Sequence, residues 1–258
     1  MFLYAYFRNV DEVVPNVIGQ FIPDENSVRF YLPLLPDQPK YASNRELAAV
    51  RPTAQRAISA ANPRGVLIKT HNIYGMHLGT PAIDRRATAA AIYVVRNPLD
   101  VAVSYASFRN KSKDTAVDWV LEQGRILPRA PNGSYMIGGS WVENVTSWRK
   151  QRHFATCFVR YEDLLESPME TFGKIVSFVA GKVDEAALEK AIKVTSFDAL
   201  RAAEDRVGYA GKPAAAKNFF RSGKAGEGLE TLTPDQIRRI VEVCGPLMTE
   251  LGYDLPDV

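Results

Sequence analysis

The sequence predicts an α/β protein in which helices lie on both faces of a parallel sheet. Apolar, β-type segments alternate with segments whose apolar residues recur at helical spacing; the β-type segments span 66–69, 90–96 and 154–160. Each of these ends in polar residues, which are Lys69-Thr70-His71, Arg96-Asn97 and Tyr161-Glu162-Asp163. Because the carboxyl ends of parallel strands meet at one edge of a sheet, we expect these residues to contribute to one site.

Capping residues, prolines and helical spacing set the predicted helices. Met1–Phe7 is apolar and aromatic without a cap before it, which is typical of the middle of a helix. Asn97 and Pro98 begin a helix to 109, and Thr233-Pro234-Asp235 begins the last helix, to about 251. The other helices are expected at about 52–61, 114–124, 141–148, 168–180 and 184–193.

Irregular segments separate these elements. Residues 11–50 contain Pro-rich turns, 204–230 are rich in Gly and Lys, and 110–140 are typical of a lid or binding loop. A chain of 258 residues could hold one large domain or two small ones. Since no repeat or low-complexity linker divides it, we predict a single domain over 1–258.

The composition excludes several classes of protein. A net charge of +3 is too small to indicate nucleic acid as the main partner. No apolar run reaches the roughly 18 residues that a membrane span needs, and the opening segment does not resemble a signal peptide. Cys157 and Cys244 lie in apolar patterns, so we predict reduced core residues in a cytoplasmic protein and no metal site.

The segment 90–108 has the features of an anion site. The N–H groups and the dipole at a helix start favour a phosphate, and a guanidinium such as that of Arg96 can bind one with two hydrogen bonds. Ser104 lies seven residues after Asn97 on the same face of the helix, so its hydroxyl can join the donors. Glu162 and Asp163, although they could be a catalytic pair, are interpreted as loop and cap residues.

Five segments, taken in order, resemble the sulfotransferases that use 3′-phosphoadenosine 5′-phosphosulfate (PAPS). They are Ile68-Lys69-Thr70-His71, YVVRNPLDVAVSYASF, FVRYEDLLESP, Thr195-Ser196-Phe197 and the F-x-R-x-G-x-x-G pattern of Phe219–Gly226. The resemblance covers about residues 60–250. It implies a P-loop-NTPase-like three-layer fold with a central parallel sheet and helices on both faces.

The resemblance also implies roles for individual residues. His71 would take the proton of the acceptor, and Lys69 would lie by the transferring sulfonate. The 3′-phosphate would be bound by Arg96, Ser104, Arg221, Ser222 and Gly223. The adenine would be bound by Tyr161, Thr195 and Phe197. PAPS would be the cofactor, with adenosine 3′,5′-bisphosphate as its product and no metal.

The sequence departs from the family pattern at two places. Glu227-Gly228 stands where the family has an aromatic residue, and no segment of the type Y-P-K-S-G-T-T-W is present. In the family that segment forms the first strand and the loop that binds the 5′-phosphosulfate. We therefore expect the first strand and the P-loop to be missing, and Met1–Phe7 to continue the first helix.

Alternatives follow from these departures. One is a non-catalytic fragment or pseudoenzyme that retains the 3′-phosphate half of the site; another is a nucleotide-phosphoryl kinase, whose G-x-x-x-x-G-K-[ST] loop is not visible. The acceptor is expected to be a small hydroxylated molecule, and a homodimer is possible. We predict that residues 20–50 and 110–140 form the walls of the acceptor pocket. Its apolar contacts would come from Phe21, Tyr31, Tyr41, Phe108, Leu127 and Tyr135.

Overall fold

A computed structural model describes residues 1–35, 42–129, 133–212, 216 and 218–257. The chain divides into two compact units. The first comprises Met1–Ile18, Ile92–Leu121 and Cys157–Val258, and the second comprises Gly19–Ala91 and Glu122–Thr156. Tyr41, one of the predicted wall residues, lies outside the described residues. The prediction of a single domain over 1–258 stays a prediction.

Helices form most of the regular structure. The α-helices are α1 (Phe2–Arg8), α2 (Ile18–Phe21), α3 (Asn44–Ala60), α4 (Pro98–Arg109), α5 (Lys113–Leu121), α6 (Trp141–Lys150), α7 (Tyr161–Glu166), α8 (Pro168–Ala180), α9 (Glu185–Val194), α10 (Phe197–Val207), α11 (Glu227–Thr231) and α12 (Pro234–Glu250). The strands are β1 (Met76–His77), β2 (Thr80–Pro81), β3 (Ala90–Val95), β4 (Ile126–Leu127), β5 (Met136–Ile137) and β6 (Ala155–Arg160). Short 3₁₀ turns occupy Pro15–Val17, Val28–Phe30 and Leu32–Leu34.

Two of the three predicted strands are confirmed, and they pair as the parallel central sheet, with β3 beside β6. The strand predicted at 66–69 is wrong. This segment makes a single bridge, in which the Lys69 amide donates to Pro23 O (2.9 Å) and the Glu25 amide donates to Lys69 O (2.9 Å). A β-type sequence favours extended backbone, but a ladder also needs a neighbouring strand in register, which sequence pattern does not specify.

The helices agree closely with the sequence pattern where local signals define their ends. Helix α4 spans the predicted residues, because the Asn97 side chain accepts a hydrogen bond from the Leu99 amide and Pro98 is its first residue. Helix α3 begins at Asn44 rather than at about 52. Its start is a capping box between Ser43 and Glu46, and Pro52 lies inside the helix.

Each unit has its own apolar core. In the first unit, α1, α8, α9 and α10 bury a core built from Phe2, Ala5, Val13, Val176, Leu188, Ala191 and Leu200. A second cluster in this unit joins β6 to α8 through Cys157, Val159 and Ile175. Both cysteines are buried and free, as predicted.

Two residues predicted at the walls of the acceptor pocket, Tyr31 and Tyr135, lie instead in the core of the second unit. Tyr31 and Tyr135 are 0% and 1% exposed and belong to the core cluster of this unit, together with Leu47, Ala48, Ala54, Ala82 and Ile137. Their rings pack inside because each neighbours the buried guanidinium of Arg51, whose Cζ lies 5.8 Å and 4.9 Å from the two ring centroids. These tyrosines therefore stabilise the fold and do not line an acceptor pocket.

Neither a membrane-spanning helix nor a cluster of metal-binding side chains occurs among the described residues. Within those ranges, no helix combines the length and apolar character needed to traverse a bilayer. The same residues contain no group of three or more His, Cys, Asp or Glu side chains arranged to hold a metal ion.

Candidate functional site

The turn between β3 and α4 carries the first of the predicted phosphate ligands. The backbone amide of Asn97 donates to Glu162 Oε1 (2.9 Å), and the hydroxyl of Tyr253 donates to the other carboxylate oxygen, Oε2, of Glu162 (2.9 Å). Glu162 thus fixes the start of α4 from the neighbouring strand end. The sequence interpretation of Glu162 as a structural residue agrees with these contacts.

Arg96 connects this turn to the C-terminal loop. Its Nη2 donates to the carbonyl of Lys224 (3.0 Å) and lies 3.6 Å from a carboxylate oxygen of Asp100. Its guanidinium carbon lies 4.6 Å from the centroid of the Tyr161 ring. A cation over an aromatic face is attracted by the ring quadrupole. Burial raises the pKa of Tyr161, although the positive charge of Arg96 opposes that shift.

A buried carboxylate holds the loop that follows. Asp100 is 2% exposed and accepts hydrogen bonds from the amides of Gly226 (2.9 Å) and Gly228 (2.7 Å). At Gly228, a Cβ would lie 2.5 Å from Leu99 Cβ and 2.6 Å from its carbonyl carbon. This position has no room for the aromatic residue of the family pattern, which gives a physical reason for the departure there.

The loop also packs against a predicted adenine residue. Gly223 has a φ of 64°, and a Cβ there would lie 2.3 Å from the Phe197 ring. Glycine tolerates both this backbone conformation and this close approach. Thr195, two residues before Phe197, donates its hydroxyl hydrogen to the carbonyl of Ala191 (2.6 Å) and so closes the end of α9.

Arg221 is paired with a carboxylate of its own loop. Its Nη1 donates to Glu227 Oε1 (3.0 Å), and its Nη2 donates to Glu227 Oε2 (2.5 Å). Burial raises the pKa of Glu227, but hydrogen bonds from Arg221 and Ser222 and the charges of Arg221 and Arg96 lower it more, so the pKa lies below its ordinary value. Glu227 is therefore ionised at neutral pH.

These contacts show which predicted residues the first unit brings together. Around the loop 221–228 the structure brings together Arg96, Tyr161, Phe197, Arg221, Ser222 and Gly223. Ser104 is half-buried on α4, two turns after its start. Sequence reasoning assigns no role to Asp100 or Glu227. For Asp100 a signal exists, because it lies four residues after Arg96 and is thus placed to pair with it.

Lys69 and His71 belong to the second unit. They lie two residues apart on an extended segment, and the Lys69 ammonium is 3.9 Å from a carboxylate oxygen of Asp24. His71 is an exposed residue, and the protein atoms around it withdraw only part of the water from its ring. This burial and the positive charge of Lys69 lower the pKa of His71, while Asp24 opposes the shift. The imidazole is therefore neutral at pH 7 and can accept a proton.

A buried polar network holds the residue after His71. Asn72 Nδ2 donates to Glu25 Oε2 (2.7 Å), its Oδ1 accepts from the Ile137 amide (2.7 Å), and its carbonyl accepts from Trp148 Nε1 (3.0 Å). Glu25 in turn forms a buried ion pair with Arg51 at 3.0 Å. No sequence motif indicates this network, because its members are distant along the chain.

Known proteins of similar sequence are sulfotransferases. The sulfotransferase domain model matches residues 23–252. Sulfotransferase 1B1 of Canis lupus familiaris is 30% identical over 174 residues, which are 64% of this chain and 56% of that protein. Cytosolic sulfotransferase 10 of Arabidopsis thaliana is 28% identical over 205 residues, which are 75% of this chain and 59% of that protein. The chain thus spans somewhat more than half the length of these relatives.

Solved structures show the same fold. The structure of mouse sulfotransferase SULT7A1 complexed with PAP matches with a TM-score of 0.53 at 25% identity, over 72% of this chain and 67% of that chain. Retinol dehydratase in a complex with retinol and PAP matches with a TM-score of 0.62 at 17% identity, over 100% of this chain and 78% of that chain. The α/β fold predicted from the sequence is confirmed, and with a family model that covers most of its length, the chain belongs to the sulfotransferase domain family.

Proposed function

We propose that this protein transfers the sulfonate group of PAPS to a hydroxyl or amine of a small-molecule, lipid or carbohydrate acceptor. The observation that carries the proposal is that Arg96 contacts the loop that contains Arg221, Ser222 and Gly223. This loop lies beside the rings of Tyr161 and Phe197. Cations, a hydroxyl and a glycine backbone are the donors that a phosphate needs. The two rings suit a base.

The residues present fit a nucleotide with a 3′-phosphate. Arg221 donates two hydrogen bonds to the carboxylate of Glu227, and Ser222 and Arg96 help to lower the pKa of this carboxylate. The donor set therefore accepts an anion. We assign the 3′-phosphate to these residues, to Gly223 and to Ser104, and the adenine to Tyr161, Phe197 and Thr195. When bound, PAPS supplies an activated sulfonate whose leaving group is the 5′-phosphate oxygen.

His71 and Lys69 carry the proposed chemistry of this chain. The neutral imidazole of His71 accepts the proton of the acceptor hydroxyl as the new oxygen–sulfur bond forms and the bond from sulfur to the 5′-phosphate oxygen breaks. The Lys69 ammonium supplies positive charge where the transferring sulfonate and the departing oxygen become more negative. Titration calorimetry tests the binding of the nucleotide, and sulfonate transfer from PAPS tests the chemistry proposed for His71 and Lys69.

The experiment has two stages. We expect adenosine 3′,5′-bisphosphate to bind with an affinity that does not depend on Mg²⁺, and ³⁵S-labelled PAPS to transfer label to members of a panel of phenols, alcohols and amines. A nucleotide affinity that requires Mg²⁺ would favour the kinase alternative. Binding without transfer to any acceptor would favour the non-catalytic alternative. A cytoplasmic location and a homodimer stay predictions.

A further inference from the structure

The carboxylate of Glu227 accepts hydrogen bonds from the guanidinium of Arg221 in this structure. Both guanidinium Nη atoms donate to its carboxylate, at 3.0 Å and 2.5 Å, so that the ion pair has two parallel hydrogen bonds. A phosphate binds an arginine through the same pair of donors. A phosphate and the Glu227 carboxylate therefore compete for Arg221.

Two further groups proposed for the 3′-phosphate influence Glu227. The Ser222 side chain and the positive charge of Arg96 both help to lower the pKa of Glu227. The Glu227 side chain is 16% exposed and that of Arg221 is 40% exposed, so the pair lies at the border with solvent. A carboxylate in this position stands where the proposed function places an oxyanion of the nucleotide.

The backbone fixes Glu227 at this position. The residues on both sides of it, Gly226 and Gly228, donate their amide hydrogens to the buried carboxylate of Asp100 (2.9 Å and 2.7 Å). Gly228 is in addition packed against the backbone of Leu99, where a Cβ would collide. The side chain of Glu227 can turn toward solvent, but its Cα stays beside the phosphate groups.

We propose that Glu227 is the internal counter-ion of the 3′-phosphate site: it holds Arg221 while the nucleotide is absent and yields it when a 3′-phosphate binds. This inference rests on the proposed function of the same site. A bound phosphate leaves the Glu227 carboxylate next to a second negative charge, so the pair must separate at a cost in affinity. Glu227 thereby weakens the binding of adenosine 3′,5′-bisphosphate and favours its release.

The test measures nucleotide affinity in Glu227→Gln by titration calorimetry. Glutamine keeps the size of the side chain and removes its charge, so we expect adenosine 3′,5′-bisphosphate to bind about three- to tenfold more tightly than to the unaltered chain. Adenosine 5′-monophosphate, which lacks the 3′-phosphate, should bind with unchanged affinity. Glu230→Gln is the matched control, because Glu230 is exposed on the same helix and its substitution changes the net charge equally.

A double-mutant cycle shows whether Arg221 carries the effect. In the background of Arg221→Ala, the substitution Glu227→Gln should increase the affinity by a smaller factor than in the unaltered chain, since no ion pair has to be broken and only the charge repulsion is relieved. Unchanged or weaker binding in Glu227→Gln, with the unaltered chain still binding the nucleotide, would overturn the inference and leave the proposed function intact. If neither the unaltered chain nor Glu227→Gln binds, both the inference and the proposed function are overturned.

Discussion

The properties of His71 depend on two neighbouring charges of opposite sign. Burial and the Lys69 ammonium lower the pKa of the imidazole, whereas Asp24 raises it. We expect Lys69→Met to raise the pKa of His71 and Asp24→Asn to lower it further. The pKa is measured from NMR titration of the imidazole protons, with His77→Gln and His153→Gln used to assign the three histidines. If both variants move the pKa in the same direction, the proposed electrostatic setting of the base is wrong.

The same shift predicts how stability changes with pH. In the folded chain the pKa of His71 lies below the value of about 6.5 that it has when unfolded. Between these two values the unfolded chain binds more protons, so His71 makes the folded state less stable as the pH falls from about 6.5 and adds no further loss below its folded pKa. His71→Gln should remove this part of the pH dependence, which urea unfolding at pH 5 and pH 8 measures.

Substitution of Arg96 should weaken the binding of the nucleotide. Arg96→Ala removes the donor to the Lys224 carbonyl and the cation over Tyr161, and it leaves Asp100 without this ion pair. We expect adenosine 3′,5′-bisphosphate to bind more weakly by about 2–3 kcal/mol, which is roughly 30- to 150-fold in Kd. Arg109→Ala, which removes an exposed arginine from the end of the same helix, is the control. Equal affinity of Arg96→Ala and the unaltered chain would exclude Arg96 from the site.

At the scale of elements, the contact between α4 and the C-terminal loop depends on the absence of a side chain at Gly228. In Gly228→Ala the new Cβ would meet Leu99 Cβ at 2.5 Å and the Asp100 amide nitrogen at 2.9 Å, and backbone cannot move aside as a flexible side chain would. We expect a loss of about 1–3 kcal/mol in the free energy of unfolding and weaker nucleotide binding, because the loop carries Arg221. Thermal unfolding and calorimetry measure the two effects.

A second glycine provides the control for this element. In Gly173→Ala, inside α8, the Cβ would meet the Leu188 side chain at an ordinary 3.6 Å. Alanine is also the better helix former by about 1 kcal/mol. This variant should be as stable as the unaltered chain or more stable. A Gly228→Ala variant that behaves in the same way would show that the loop adapts and that its close packing on α4 is not required.

The elements also show what a sequence can and cannot predict. The sequence predicts helix α4 from end to end because Asn97 and Pro98 act within a few residues of each other. The segment 66–69 has a strand pattern and is not a strand, because its pairing depends on Asp24, far away in the chain. Tyr31 and Tyr135 are predicted at a pocket wall and lie in the core, since nothing local to either reveals the buried Arg51 between distant segments.

At the scale of the whole molecule, the proposed roles divide between the two units. The residues proposed for the nucleotide belong to the first unit, and Lys69 and His71 belong to the second. The family motifs predict both sets, because each motif is a short segment at the end of an element. The groups that hold these segments in place, Asp100 in the first unit and Glu25 in the second, act over long distances in the sequence and are visible only in the structure.

The second unit depends on the ion pair between Glu25 and Arg51, which are 2% and 1% exposed. Arg51 also donates to Ser134 Oγ (3.1 Å) and to the Tyr135 carbonyl (2.8 Å), and thereby joins α3 to the segment before β5. Arg51→Met would leave the Glu25 carboxylate buried without its cation. Breaking a buried pair in this way costs about 3–5 kcal/mol, and urea unfolding measures the loss. Arg45→Met, at an exposed position of the same helix, should change the stability by no more than about 0.5 kcal/mol.

The charge of Glu25, rather than the volume of Arg51, should account for most of this loss. If so, combining Glu25→Gln with Arg51→Met should recover part of the stability, because the double variant contains no unpaired buried charge. The single amide oxygen introduced by Glu25→Gln keeps one of two hydrogen bonds, because Gln55 and Asn72 donate to different oxygens of Glu25, at 2.9 Å and 2.7 Å. A double variant less stable than Arg51→Met would instead assign the loss to packing around Tyr31 and Tyr135. It would also show that the Glu25 carboxylate stabilises the segment that contains His71 even when Arg51 is absent.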